Sequence, residues 1–476
     1  MAESAPNHDL VALMQEANLG AREFATEVNR LIGTTGTPIS RTAPYAWMNA
    51  GRVPQRAEVR SLAAFVLSKR LGRRVSADQI WTGRTAGPAP VIAATDGIDG
   101  LWGGSSTRQV LEQFLQGGIL NRRRFMQMSG AAITAVVTAY IAGHDQTPQE
   151  AHRLVGEHPL VTQVEQAVES LQYLDDDYGG AANLTYVRAQ VMATAAVLLE
   201  GGHDSATDHR LQIALADIAQ LAGWMAFDAG DPGWGQRFMF LGVRAAKEAG
   251  YRDMVAHILG DLSFQSSTFG SPQDAVDWGE AALSLTGGSA PLVQAAVQSR
   301  LAYAYARAGR LDDARRARDN GIERFSRPRG DEPKWLYFFT PAHVESQAGY
   351  ALIHGGRDLL AQGSAKAGRS AMTEGISLLS NVGAWNLPLD IKGQRRRALF
   401  EGAWLATGHL HGGDIEQASS VLRTTIPRLH QVNSPRSVAV LTELRRELSR
   451  RRRSEYARSV LTELEPALRR RRAVPA

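Results

Sequence analysis

Three groups of residues have types and spacings that could do chemistry. The first is a carboxylate run, Asp175, Asp176 and Asp177, followed by Tyr178, Gly179 and Gly180. The second is a pair of histidine sets, His203 with His209 and His409 with His411. The third is a set of arginines around residues 22–56: Arg22, Arg41, Arg52 and Arg56. Carboxylates and imidazoles in such groups could ligate a metal or move protons. Here both lie beside glycines at expected helix ends, so the Asp run reads as a solvated helix end and the histidines as exposed polar residues. No GxxxxGK, GxGxxG, HExxH or GxSxG motif occurs. With no cysteine there is no thiolate and no disulfide framework. The expectation is a protein that is no enzyme and takes no metal or cofactor. That leaves the arginines, whose chemistry is recognition of phosphate and of base edges.

Those arginines need a scaffold, and residues 9–81 supply a helical one. The pattern predicts five helices: Asp9–Ala17, Ala21–Ile32, Pro44–Ala50, Arg56–Leu71 and a last turn Ala77–Trp81 capped by Ser76. In the second, Phe24, Ala25, Val28 and Leu31 share one face. The third is bounded tightly. Thr42 is its expected N-cap, Pro44 is tolerated only in the first turn, Gly51 ends it and Pro54 blocks its continuation. Trp47 and Met48 are expected to pack inward.

The text Ser40, Arg41, Thr42, Tyr45, Trp47, Gly51, Pro54 resembles the helix-turn-helix of the phage-repressor (Cro-like, xenobiotic-response-element) family, over Asp9–Trp81. Two departures are visible. The turn Gly33–Ile39 (GTTGTPI) is longer than usual, and three residues separate Trp47 from Gly51. The resemblance implies double-stranded DNA as partner. Arg41, Thr42 and Tyr45 would face base edges in the major groove, while Arg22, Arg52 and Arg56 would hold phosphates. It also implies a homodimer on two half-sites.

Residues 82–107 (TGRTAGPAPVIAATDGIDGLWGGSST) read as a linker, continued by a short helix within 83–120. Next comes Asn121–Gly143, NRRRFMQMSGAAITAVVTAYIAG, which carries a twin-arginine pattern like an export signal. It lies far from the amino terminus, and Thr134 and Thr138 stripe its apolar run. The expectation for 121–145 is a connector helix, with neither export nor a membrane span, in a cytoplasmic, nucleoid-associated protein.

From about 146 to 446 the text has helical period and repeats itself. LAGWMAFDAGDPGWG, LSFQSSTFGSPQDA, LAYAYARAGRLDDA and LATGHLHGGDIEQA align on Gly230, Gly270, Gly309 and Gly413. Seven residues earlier stand Gly223, Ser263, Ala302 and Ala406, and five residues later Gly235, Ala275, Ala314 and Ala418. Two helices cross closely only where neither is bulky, and a glycine between them supplies the positive φ of the turn. Segments 146–210 and 343–380 read as degenerate copies. The frame resembles the tetratricopeptide repeat, with a period near 40 against the family's 34. The expected fold class is all-α: an N-terminal five-helix helix-turn-helix domain (1–82) and a C-terminal tetratricopeptide-like α-solenoid. The resemblance implies a concave surface holding a peptide, small molecule or protein, with Arg237, Arg244, His257, Gln265, Arg300 and Tyr303 as candidate lining. Lys334–Phe339 (KWLYFF) could plug that groove, pack in the core or anchor a ligand.

Charge is unevenly placed. Residues 1–81 carry 10 Lys/Arg against 7 Asp/Glu, and 445–476 carry 11 against 4, which leaves 82–444 at −5. Residues 447–476 read as an Arg-rich helix or tail: a capping helix, a DNA- or partner-binding tail, or a disordered end. GWMAFDAGDPGWGQRFMFLGVRAAKEAG and the overall plan resemble actinobacterial helix-turn-helix/repeat regulators of differentiation and antibiotic production. The resemblance implies a transcription regulator, of repressor type. The alternative is a repeat scaffold that binds a partner protein without reading DNA.

Overall fold

In the computed structural model the described residues are 6–32, 38–54, 57–71, 75, 80–81, 111, 159–327, 330 and 332–473. Among them the chain is all-α, without strands. It divides into two compact units, Met1–His144 and Asp145–Ala476. Most of the linker, the expected helix 108–116, Asn121–Gly143 and Arg56 lie outside the described residues, as does most of the expected turn 77–81.

The N-terminal unit contains α1 (His8–Glu16), α2 (Ala21–Ile32), α3 (Ala43–Asn49) and α4 (Ala57–Leu71). The second helix has the expected bounds; α1 begins one residue early because Asn7, rather than a later residue, caps it. The Asn7 side chain accepts from Leu10 N at 3.0 Å and donates to Ile80 O at 2.8 Å. Its backbone N–H reaches Met48 O at 2.8 Å. One buried asparagine thus ties the start of α1 to α3 and to Ile80. Beneath it Trp47 stands edge-on to Phe24 (6.3 Å) and Trp81 (6.2 Å), in a core with Leu10, Met14, Val28, Val59 and Leu67. Gly51 ends α3 at φ 56°, a conformation open to glycine at little cost.

The C-terminal unit is an array of helical hairpins. It opens with α5 (Pro159–Tyr178) and α6 (Gly180–Glu200). Hairpins follow: α7 (Ser205–Asp228) with α8 (Pro232–Glu248), α9 (Arg252–Phe269) with α10 (Pro272–Ser284), and α11 (Pro291–Arg307) with α12 (Leu311–Arg324). After a 3-10 turn, Lys334–Leu336, come α13 (Pro341–Ala361) with α14 (Ala365–Val382), and α15 (Arg395–Gly412) with α16 (Ile415–Thr425). Last are α17 (Pro435–Ser449) and α18 (Glu455–Ala473).

The small-residue frame does what its spacing requires. A Cβ on Gly223 would lie 2.9 Å from Gly235 O, and Ser263 Oγ donates to Ala275 O across its crossing at 2.7 Å. Two expectations need correction. Gly270 has φ −113°, so its turn needs no left-handed residue; a Cβ there would instead crowd Ser266 O at 3.1 Å. The 343–380 segment is no degenerate copy. Gly363 turns it at φ 84°, with Gly356 seven residues before and Gly368 five after, and a Cβ on either would lie 2.9 Å from the other's carbonyl. A second crossing, Gly349 with Gly375, is tighter still: a Cβ on Gly375 would lie 2.6 Å from Gly349 O.

One aromatic ring from the first helix of each hairpin builds a spine through the array. Phe227 meets Phe264 at 5.9 Å, Phe264 meets Tyr303 at 5.0 Å, Tyr303 meets Tyr350 at 5.6 Å and Tyr350 meets Phe400 at 5.1 Å. Leu441, Leu444, Leu448, Val460, Leu464 and Leu468 join the same core. The final helix pair therefore belongs to the array, and the boundary expected at 446/447 falls inside α17.

Candidate nucleic-acid interface and the interior of the repeats

On the N-terminal unit, Arg22 lies in the first turn of α2, Arg41 and Thr42 just ahead of α3, Tyr45 in its first turn, and Arg52 just after it. All five are exposed, Tyr45 by 43%. Trp47 is buried and Met48 half-buried, as the spacing required. Thr42 holds the N-cap position without capping: its hydroxyl lies 2.9 Å from Ser40 Oγ, which accepts from Thr42 N at 3.3 Å. Asn29 of α2 brackets Ile39, accepting from its N–H at 2.7 Å and donating to its carbonyl at 2.9 Å. This clamp sets where the chain enters α3, and sequence spacing gave no sign of it.

The ion pairs of this unit sort its arginines. Arg70 of α4 engages Glu23 at 2.6 Å and, through Nε, Glu27 at 3.1 Å. Arg60 donates to Pro54 O at 3.1 Å. Among the described residues, Arg22, Arg41 and Arg52 pair with no carboxylate. The arrangement therefore offers three hydrated guanidiniums beside a hydroxyl and a phenol, donors suited to phosphate oxygens and base edges.

The six residues expected to line a concave groove are all buried. Arg300 lies 3.0 Å from Asp261 and donates to Gln347 Oε1 at 3.0 Å, while its guanidinium covers Phe264. Gln220 donates to the same Asp261 at 2.6 Å. His257 stands 3.6 Å from Asp261, with the Trp335 ring 4.3 Å from its own. Burial holds the His257 imidazole below its ordinary value, which favours the neutral form. Tyr303 O–H and His354 Nδ1 are 2.8 Å apart, Gln265 Nε2 reaches Met239 Sδ at 3.1 Å, and Arg237 covers Trp234. Arg244 is fully enclosed in α8. These are interior residues rather than the wall of an open groove.

The KWLYFF segment covers part of this interior. Trp335 Nε1 donates to Tyr251 O–H at 2.7 Å, and Leu336 and Phe339 are buried. Tyr337 O–H donates to Asp176 Oδ2 at 2.5 Å, its ring 5.0 Å from Tyr173.

That contact overturns the reading of Asp175–Asp177 as a solvated helix end. Arg396 of α15 lies 3.1 Å from Asp175 and 2.8 Å from Asp176, and Asp177 accepts from Gly393 N at 2.6 Å. Close by, Asp228 of α7 takes Gly180 N at 3.1 Å, Ser434 O–H at 2.8 Å and Arg436 at 3.0 Å. Asn433 N donates to Tyr178 O at 2.6 Å. Residues more than two hundred positions apart thus clasp the first helix of the unit against α15 and the start of α17. Burial pushes the Asp175 carboxyl up to about 7, against the pull of Arg396. The histidine pairs are also less exposed than expected: His209 Nε2 is 3.0 Å from Ala249 O, and His411 Nε2 is 2.9 Å from Glu447. Among the described residues no helix is long and apolar enough to cross a membrane.

Comparison with known proteins adds little to this geometry. A family model described as the SP15 N-terminal domain matches residues 10–81. No curated protein matches the chain. Among solved structures, the chain is similar to a "circular tandem repeat protein with novel repeat topology and enhanced subunit contact surfaces" at 13% identity, covering 98% of this chain and 88% of that one, with a TM-score of 0.17.

Proposed function

We propose that the chain is a DNA-binding regulator of transcription, acting as a repressor. The N-terminal unit reads the duplex, and the repeat array mediates dimerisation and receives a ligand, peptide or protein partner. The observation that carries this reading is the sorting of arginines: Arg60 and Arg70 are engaged within the unit, while Arg41 and Arg52 on either side of α3, and Arg22 at the start of α2, stand in solvent. Surface cations are ordinary; two flanking one short helix, with its Thr42 and Tyr45 also exposed and Arg22 at the start of α2, fit a helix that enters a groove. Arg41, Thr42 and Tyr45 take base edges, and Arg22 and Arg52 take phosphates. Because the candidate lining residues are buried and Lys334–Phe339 covers part of them, a ligand for the array must displace that segment or bind outside.

Footprinting over genomic fragments tests the reading. The expected result is a protected site with two half-sites, weakened by Arg41→Ala by roughly 1–3 kcal/mol with relaxed sequence preference. Absence of any protected site overturns it. Unchanged DNA retention in Arg41→Ala/Arg52→Ala supports instead a scaffold whose repeats bind a partner protein.

A further inference from the structure

The turn between α17 and α18 concentrates positive charge. Residues 445–458 hold seven arginines, two glutamates and no lysine. Some of this charge is spent internally. Arg458 donates to the carbonyls of Arg452 at 3.0 Å and Arg453 at 3.2 Å, which fixes the turn. Arg451 lies 3.6 Å from Glu447, a carboxylate already facing His411 at 2.9 Å. Arg452 lies 3.3 Å from Glu465, yet its side chain remains 62% exposed. Arg446, Arg450 and Arg453 are exposed and, among the described residues, have no carboxylate partner. Of the acids nearby, Glu443 faces Arg357 at 3.0 Å, and Glu455 stands exposed at the start of α18. The C-terminal dipole of α17 accounts for one or two cations in its last turn. It does not account for a run that continues through the turn beyond.

We propose that this turn is a second polyanion-binding surface and that its partner is the phosphate backbone of nucleic acid. Arginine forks match phosphate oxygens in pairs, where lysine offers only a point charge. Stable seating on a membrane surface or a protein partner draws on apolar anchors beside the cations. Among the described residues of α17 and α18 the one large exposed apolar side chain is Tyr456, and its hydroxyl is held by Glu416. The choice of nucleic acid over other polyanions rests on the reading of the N-terminal unit as a DNA reader; the charge surface itself does not.

The test uses the full chain and a fluorescent duplex of arbitrary sequence, with anisotropy read between about 50 and 200 mM salt. Relative to the parent, Arg446→Ala/Arg450→Ala/Arg453→Ala should flatten the slope of log affinity against log salt by about 2–3, close to 0.9 for each phosphate that is no longer neutralised. The same three positions changed to Lys should keep most of the slope, and circular dichroism and melting should match the parent for both variants. A parallel variant, Arg22→Ala/Arg41→Ala/Arg52→Ala, separates the two readings. A slope lowered only by the C-terminal triple supports this surface and overturns the DNA reader. A slope lowered only by the N-terminal triple does the reverse, and no change in either overturns both. Loss of binding to phosphatidylserine vesicles, with duplex binding intact, overturns the choice of nucleic acid.

Discussion

In the N-terminal unit Arg41 and Arg52 stand in water, without a carboxylate partner among the described residues, whereas in the C-terminal unit Arg396 and Arg436 are enclosed within 3.1 Å of Asp175 and Asp228. A guanidinium taken out of water loses several kcal/mol of hydration unless a carboxylate and further hydrogen bonds replace it. At Arg396 and Arg436 the C-terminal unit makes that exchange, so these two arginines fix the packing of helices and are unavailable to a partner. The N-terminal unit leaves Arg41 and Arg52 hydrated, which costs the fold little.

The largest break in this comparison should come from Arg436→Ala or Asp228→Ala. Either leaves an uncompensated buried charge, and urea denaturation should show a loss of about 3–5 kcal/mol. A loss near zero would mean that the pair is hydrated after all. Next is Gly375→Ala, which drives a methyl group into the Gly349 carbonyl and the Ile353 backbone. The expected cost is about 1–3 kcal/mol, read from the same denaturation curve.

The third effect depends on pH. Asp217 has one oxygen fully covered and without a hydrogen-bond partner among the described residues. Burial, with Glu165 adding to it, pushes its carboxyl up to about 8. The folded state therefore keeps a proton that the unfolded chain releases near pH 4. Asp217 favours folding fully below that pH, and its contribution is lost as pH rises towards 8. Asp217→Asn should match the parent at low pH and gain in melting midpoint steadily from about pH 4 to pH 8. A constant difference across that range would show that the carboxyl is not held in its neutral form. The smallest effect on stability is expected from Arg22→Ala/Arg41→Ala/Arg52→Ala. Each should stay within about 0.5 kcal/mol. A large drop in melting midpoint would show that these arginines also hold the fold together.

The hairpins were legible in the sequence because close backbone approach demands small residues at fixed distances from a turn. Gly356, Gly363 and Gly368 obey those distances too, but Lys334–Phe339 and its flanks stretch the spacing from Gly309 and hid them. The bounds of α2 and the stop of α3 were legible through amphipathic spacing, Gly51 and Pro54. The clasp was not. Asp175 and Arg396 sit far apart in the chain, and an ion pair leaves no periodic trace. Asn7 and Asn29 were hidden for a related reason: each bonds to backbone atoms, which every residue possesses. Groove residues were misplaced because the repeat frame identifies the inner side of a helix without saying what fills it.

The clasp between α5 and the region around α17 changes how the repeat array can come apart. A linear array unfolds from its ends, because a terminal hairpin has a neighbour on one side only. Here Tyr178 and Asn433 share a hydrogen bond, and Asp228 binds Arg436, so the opening helices lean on the closing ones. The start of α17 is thus held from α5 and α7 as well as by its own sequence neighbours. The hairpins should melt in one transition rather than fray, and removal of α17 and α18 should loosen α5 along with their sequence neighbours.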